Sequence, residues 1–387
     1  MHKEFIVFGE PEIQEDEINE VISTLRSHWL GTGPRVAQFE ADFADYKGID
    51  KSQVAAVNSG TAALHLALLA SGVREGDEVI VPAMTFCATI NAVIHSGATP
   101  VLADVDPVSM NLDPVDVERK ISPRTRALLP VHFAGRPCDM DALMEIARQY
   151  DLRMIEDCAH AIETEYKGQK VGTFGDFGCF SFYVTKNMTT GEGGMVIARR
   201  EEDIARIKML ALHGMSKDAW HRFGDEGYKH YQVIGAGFKY NMMDLQAAIG
   251  LHQLRRLEKN LEKRTEVWRR YQEALSDLPI TLPDDGEENI RHAHHLYTIL
   301  IDKEKAGISR DKFLDEMTKA EIGVGVHYIS LADQPYYKKN YGYISKHYPV
   351  SRKIGEQTVS LPLSATLCDK DINRIINSIK QILENNL

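Results

Sequence analysis

The run Ser181-Phe182-Tyr183-Val184-Thr185-Lys186-Asn187-Met188-Thr189-Thr190-Gly191-Glu192-Gly193-Gly194 sets a lysine on a tight connection between two apolar stretches, 180–184 and 195–198. Both stretches read as buried strands, so Lys186 is expected to be partly desolvated, which favours its neutral, nucleophilic form. Upstream, Ile155-Glu156-Asp157-Cys158-Ala159-His160 puts Asp157 at the end of an apolar strand, where ligand crevices open in parallel α/β sheets. A lysine amine forms a Schiff base with an aldehyde, and a carboxylate facing a pyridine nitrogen keeps that ring protonated as an electron sink. Together the two residues read as a pyridoxal-phosphate site. Taken singly they say much less, because a lysine drawn from 45 basic residues is ordinarily a solvated surface group and an aspartate after a strand often only caps the next helix.

Around this pair, short apolar runs alternate with helix-period segments. Strands are expected at 54–57, 78–81, 99–105, 127–131 and 153–156, with helices at 61–70, 87–94 and 140–150 between them. The alternation predicts an α/β fold whose mostly parallel sheet is covered by helices on both faces. A long helical stretch at 245–275, rich in charge after Arg255, is expected to bridge two domains. The segments at 293–301, 310–320 and 369–383 suit a smaller α+β unit. The expected division is therefore 1–250, a large cofactor-binding domain including the N-terminal segment, and 251–387, the linking helix with a small C-terminal domain. No internal repeat or low-complexity tract interrupts the pattern.

Composition narrows the function classes. The 387 residues are 43% hydrophobic and 26% charged, ordinary values for a globular chain. With 45 Lys+Arg against 56 Asp+Glu the net charge is −11, which argues against a nucleic-acid partner held by a general positive field. Cys87, Cys138, Cys158, Cys179 and Cys368 are scattered without a C-x-x-C pair, so neither a zinc site nor a disulfide framework is expected, and a reducing cytosol fits best. The N-terminal residues meet acids and Pro11 before any signal-like apolar core develops. The most apolar stretch, 61–71, is interrupted by His65 and too short for a membrane span. A soluble, cytoplasmic protein without metal or membrane partner is the expectation.

In Asn58-Ser59-Gly60-Thr61-Ala62-Ala63 a strand hands over to a helix, so free backbone N–H groups and the positive end of a helix dipole face one spot, as a phosphate requires. An ordinary helix cap beside a glycine turn gives the same letters. Ser181 offers a hydroxyl to a phosphate, or is satisfied by backbone.

With these segments in place, the chain resembles the DegT/DnrJ/EryC1/StrS aminotransferases, fold-type I enzymes that aminate keto groups on nucleotide-linked sugars. The resemblance is carried by Trp29-Leu30-Gly31-Thr32-Gly33-Pro34, Asn58 to Ala63, Pro82-Ala83-Met84-Thr85-Phe86, Val131-His132-Phe133-Ala134-Gly135, the Asp157 and Lys186 segments, and Gly237-Phe238-Lys239-Tyr240-Asn241-Met242-Met243-Asp244. It implies a large domain built on a mostly parallel seven-stranded sheet, with Lys186 as the Schiff-base lysine and proton shuttle and Asp157 as partner of the pyridinium nitrogen. It further implies that Gly60, Thr61, Ala62 and Ser181 hold the phosphate, that Phe86 stacks on the ring, and that Asn241 reaches the phosphate from a second subunit of a homodimer. His160 stands where many relatives carry glutamine near the ring hydroxyl, and an imidazole can make a similar hydrogen bond. Thr32, Thr85, His327, Tyr328 and the segment 213–222 are implied as neighbours of the sugar nucleotide. Lys217, Arg222 or Lys239 would supply charge to its pyrophosphate, or would only solvate a loop. After Val326-His327-Tyr328-Ile329 many relatives continue with proline and then histidine, whereas this chain has Ser330, Leu331 and Ala332.

The resemblance implies amination by L-glutamate through pyridoxamine phosphate, first of all at position 4 of a UDP- or dTDP-linked 4-keto-6-deoxy sugar, with position 3 second. The amino sugar would serve surface glycan or natural-product biosynthesis. Two rivals are weighed. Dehydratases of the same family typically carry histidine where Lys186 stands, and a non-catalytic DegT-like regulator would need a recognition module that the sequence does not display.

Overall fold

The computed structural model describes residues 5–216, 231–286 and 288–386. Two helices, α1 (Glu15–Arg26) and α2 (Pro34–Lys47), precede the first strand β1 (Val54–Val57). There follow α3 (Gly60–Ala70), β2 (Glu78–Pro82), α4 (Cys87–His95), β3 (Thr99–Ala103), α5 (Pro114–Lys120), β4 (Thr125–Leu128), α6 (Met140–Gln149) and β5 (Arg153–Asp157). A small hairpin, β6 (Glu165–Tyr166) and β7 (Gln169–Lys170), leads to β8 (Phe177–Ser181), β9 (Gly194–Ala198) and α7 (Glu201–Ala211).

The main sheet has seven strands in the order β1-β9-β8-β5-β4-β2-β3. Neighbours from β3 through β8 run parallel, while β9 is antiparallel to both β8 and β1. The sheet is mixed but mostly parallel, as expected. Its strands alternate in what they bury. Ala55, Val57, Val79 and Val81 join the core under α3, α4 and α7, whereas Val54 and Ala56 pack with Phe39 and Phe43 of α2 and Ile80 packs with Leu143 of α6. Both faces are thus covered, and β1, β2 and β9 are buried throughout.

The C-terminal part contains α8 (Asp244–Arg255), α9 (Leu257–Leu275), β10 (Ile290–Arg291), β11 (Tyr297–Leu300), α10 (Lys303–Ala306), α11 (Arg310–Lys319), α12 (Pro335–Tyr341), α13 (Pro349–Gln357), β12 (Thr358–Leu361) and α14 (Asp369–Glu384). Strands β11 and β12 pair antiparallel over a core that joins Trp268, Tyr271, Phe313, Ile375 and Ile379, and Ile6 from the amino end packs into it. Among the described residues no helix is long and apolar enough to cross a membrane.

Several expected boundaries move. The strand before Lys186 is Phe177–Ser181 and not 180–184: pairing with β9 ends at Ser181 opposite Gly194, and beyond it Tyr183 is 45% exposed. The long helix at 245–275 is two helices. Arg256 (φ −97°, ψ −1°) interrupts it, and its guanidinium is drawn onto Glu17 of α1 and the carbonyl of Glu12, a tertiary contact that local periodicity does not reveal. The strand expected at 99–105 stops at Ala103, because the Asp104 carboxylate turns aside to accept the Val350 and Ser351 N–H groups. The strand expected at 127–131 is Thr125–Leu128, with Val131 in only an isolated bridge to Asp157.

Candidate active site

A cavity of about 590 Å³ opens where strands β1, β2, β5 and β8 end, and residues of the C-terminal part close its far side. The β1–α3 junction contributes Ser59, Gly60 and Thr61, the β2–α4 junction Thr85, Phe86 and Thr89, and the end of β5 Asp157 and His160. Ser181 and Lys186 follow β8, and His295, His327 and Tyr328 come from the C-terminal part.

The phosphate-like corner follows from how α3 begins. Ser59 caps it, its Oγ accepting the Ala62 N–H at 3.0 Å, which leaves the first-turn donors of Gly60 and Thr61 directed outward at the positive end of the helix. A Cβ on residue 60 would lie 2.8 Å from the Ser181 Cβ, so only glycine lets this helix end approach the end of β8. The Ser181 hydroxyl oxygen accepts only a long bond from the Tyr183 N–H, 3.4 Å. Ala62 is buried with its N–H already committed to the cap, and is not on the cavity wall.

Asp157 is 4% exposed. Its Oδ2 accepts the Thr89 hydroxyl at 2.9 Å and its Oδ1 the Ala159 N–H at 3.1 Å. Because Thr89 donates to the acid, its oxygen accepts from Thr85, 2.9 Å away, so Thr85 acts on Asp157 through Thr89. Burial pushes the Asp157 carboxyl above the usual range, against the pull of the two hydrogen bonds, Lys186 and His132. A cation at this oxygen pair would restore the charged form.

Behind it, fully buried Glu156 accepts the N–H groups of Gly172 (2.7 Å), Phe174 (2.9 Å) and Gly175 (2.8 Å). It also faces His132 Nε2 at 3.1 Å. His132 Nδ1 accepts the Cys138 N–H at 3.1 Å, so Nε2 carries the proton and donates. His132, Glu156 and Cys158 bring potential ligand atoms within 4.8 Å of one another, but the carboxylate and both imidazole nitrogens are already committed, which describes a clamp on the end of β5 and not a metal site.

Lys186 Nζ makes no hydrogen bond among the described residues, and burial, opposed by Asp157, pushes its pKa down to about 8. His160 Nδ1 accepts the Ala134 N–H at 3.3 Å, leaving Nε2–H directed at the Tyr328 hydroxyl, 3.3 Å away. Burial together with Lys186, His295 and His327 keeps this imidazole neutral. His327 stacks on Phe8 at 5.4 Å, meets Ser360 Oγ through Nδ1 at 2.9 Å, and is pushed down to about 4 by burial and Lys186. Phe86, 56% exposed, holds its ring 5.9 Å from Tyr328 at the cavity edge.

Three expected residues stand elsewhere in the chain. Asn241 donates to Thr32 Oγ1 at 2.6 Å and receives Lys239 Nζ. Thr32 and Asn241 line a separate cavity of about 790 Å³ with Trp29. Lys217 and Arg222 lie outside the described residues. The sequence reading missed Thr89 and His295. Thr89 was within reach, since it follows Thr85 by four positions at the start of α4. His295 was not, because only tertiary folding carries it to Lys186.

An amine and an acid facing one cavity, with a helix N-terminus beside them at the carboxyl edge of a mostly parallel sheet, fit a pyridoxal-phosphate-dependent enzyme of fold type I, and the relatives below make it an aminotransferase. The model of the DegT/DnrJ/EryC1/StrS aminotransferase family matches residues 11–380, and the chain belongs to that family. It is 44% identical over 381 residues to the spore coat polysaccharide biosynthesis protein SpsC of Bacillus subtilis, covering 98% of this chain and 97% of SpsC. The PLP form of the putative sugar aminotransferase Spr1654 from Streptococcus pneumoniae superposes with a TM-score of 0.91 at 33% identity, covering 99% of this chain and 100% of that one. The PMP form of Spr1654 matches equally well, with a TM-score of 0.91 at 34% identity over 98% of each chain. PseC of Helicobacter pylori, an aminotransferase involved in pseudoaminic acid biosynthesis, gives a TM-score of 0.91 at 26% identity over 98% of this chain and 100% of PseC.

Proposed function

We propose that this sugar aminotransferase moves the amino group of L-glutamate to the keto carbon of a nucleotide-linked keto-deoxysugar, foremost C4 of a UDP- or dTDP-linked 4-keto-6-deoxy sugar. The observation that carries the proposal is the convergence of Lys186, Asp157 and the α3 N-terminus on one cavity. Pyridoxal phosphate, when bound, supplies an aldehyde for the exchanging amine and a ring that takes up an electron pair. The chain's own residues do the rest. Asp157 would hold a positive ring nitrogen, the Gly60 and Thr61 N–H groups with Ser181 would bind the phosphate, Phe86 would cover a ring face, and the His160 Nε2–H would exchange its Tyr328 partner for the ring hydroxyl. Lys186 Nζ removes the α-proton of the donor and later delivers a proton to the sugar carbon that gains nitrogen.

The homodimer belongs to this proposal. Thr32, Lys239 and Asn241 are linked by hydrogen bonds and do not line the cavity that holds their own chain's Lys186; they lie beside Trp29 and Leu30, which are 46% and 43% exposed. In this reading Asn241 serves the partner's phosphate corner, and His327 and Tyr328 flank the sugar. We also read 1–250 and 251–387 as the cofactor-holding and closing units. The setting is the cytoplasm, without nucleic-acid or membrane partners, and the product feeds surface glycan or natural-product synthesis.

The test is to incubate the enzyme with glutamate and a panel of UDP- and dTDP-linked keto sugars, identifying products by mass and NMR. Formation of 2-oxoglutarate with a 4-amino sugar is expected. Amination with alanine but not glutamate, or of free sugars only, overturns the donor or acceptor assignment respectively.

A further inference from the structure

Beside Lys186 lies a buried network that the proposed chemistry has not used. Asn187 Nδ2 donates to Glu163 Oε2 at 2.8 Å and to the Ala293 carbonyl at 3.0 Å. Since both partners only accept, the remaining amide atom is the oxygen, and it faces His295 Nδ1 at 2.9 Å. An oxygen there requires the proton of His295 to be on Nδ1, leaving Nε2 as a bare lone pair. The arrangement is clamped from behind, because Arg264 pairs with Glu163 in full burial and also donates to the Ala293 carbonyl at 3.3 Å.

The His295 ring lines the same cavity as Lys186, and both also line a small recess of about 40 Å³. Its centroid is 4.4 Å from that of His160. Nε2 of His295 has no hydrogen-bond partner among the described residues, and neither has Nζ of Lys186. We propose that these two meet: His295 is a positioning residue that accepts a hydrogen bond from the Lys186 amine and holds it aimed at the carbons between which it carries a proton. The inference rests on the reading of Lys186 as the cofactor lysine.

A neutral acceptor suits this role better than a carboxylate, which would hold the amine charged and unreactive. The ionisable groups around the ring keep it neutral. Burial comes first, followed by Lys186, His327, Arg264 and His292, with His160 stacked alongside and Glu163 turned toward Arg264 and Asn187. The network also places the first two residues of the motif Lys186-Asn187 in one device, with Asn187 fixing the tautomer that its neighbour needs.

The experiment measures Lys186 directly in the apoenzyme. Trace acetylation with acetic anhydride across pH, quantified on the Lys186 peptide by mass spectrometry, gives the amine's titration midpoint without any turnover. Removing the acceptor in His295→Leu is expected to lower that midpoint by roughly one pH unit, as the loss of a hydrogen bond to a charged group implies. It is also expected to slow the glutamate half-reaction by about 10-fold with KM little changed. His295→Gln, which keeps an acceptor oxygen, should fall between Leu and the native protein. Asn187→Ala frees the tautomer and should move the midpoint the same way by less, which keeps the idea testable should His295→Leu fail to fold. Overlaid titration curves for native protein and either His295→Leu or Asn187→Ala, or equal losses in the Leu and Gln variants, overturn the proposal. Borohydride reduction of the native holoenzyme separates the two readings: a cofactor tag on a residue other than Lys186 removes the underlying assignment, whereas a tag on Lys186 with an unmoved midpoint removes only the role of His295.

Discussion

The two sides of the cavity are built to opposite rules. On the β5 side, both oxygens of Asp157 are engaged by Thr89 and Ala159, and the preceding Glu156 is held by three backbone N–H groups and His132. Around the amine the opposite holds: Lys186 Nζ has no partner among the described residues, and the imidazoles His160, His295 and His327 are all pushed toward the neutral form. A charge that must stay in one place throughout a reaction gains from immobile dipoles. A group that must carry a proton between two carbons gains from being uncommitted and near its titration point. Damage to the mobile side should therefore appear in rate, and damage to the rigid side in cofactor affinity and stability.

The largest effect is expected from Lys186→Ala. The variant should fold and bind pyridoxal phosphate at the α3 corner, yet lose turnover by at least about 10²-fold, the usual share of a positioned acid–base group. Product formation under saturating substrate measures it, and native-like turnover would break the contrast outright. Asp157→Asn comes next. It keeps the shape and the Thr89 contact but removes the charge that, in the proposed reading, pairs with a ring cation, so cofactor affinity should fall by roughly 10- to 100-fold, the worth of a charge-assisted hydrogen bond. Equilibrium titration of the apoenzyme gives that number, and unchanged affinity would mean that Asp157 does not meet the ring nitrogen.

Glu156→Gln sharpens the comparison from behind the site. The amide NH₂ would face backbone N–H groups that now point at a carboxylate oxygen, so the folded state should lose about 1–3 kcal/mol in a denaturant titration. Kinetic constants at temperatures where the variant is folded should change far less. A rate loss without a stability loss would place Glu156 on the chemical side of the boundary.

The fold and the site were legible to different depths, for physical reasons. Lys186, Asp157 and the Ser59–Gly60–Thr61 corner stand out because each depends on its own stretch of chain: a turn, a strand end, a helix start. The alternation of apolar runs likewise predicts β1, β2 and β5 nearly to the residue. What stayed hidden depends on distant partners. Arg256 breaks the helix because Glu17 lies 239 positions away in the chain but within hydrogen-bond reach. His295 approaches Lys186 only through Asn187, 108 positions earlier. The direction of β9 is set by its pairing with β8, which leaves no mark on an apolar run.

The smallest expected effect concerns pH. Burial, against the pull of Asp157, pushes the Lys186 amine down to about 8, below the ordinary lysine range. Burial disfavours its charged form, and only the neutral amine attacks an aldehyde. The second-order rate of cofactor capture by the apoenzyme should therefore climb about tenfold per pH unit below 8, where the neutral fraction does. It should then flatten above 8 instead of climbing on toward 10.5. Stopped-flow mixing across pH 6 to 10 reads this bend. Asp157→Asn removes a negative charge that favours the charged lysine, so the bend should shift to lower pH in that variant. A shift of the bend to higher pH would mean that burial does not govern the amine, and the contrast between a rigid acid and a free base would then lose its electrostatic basis.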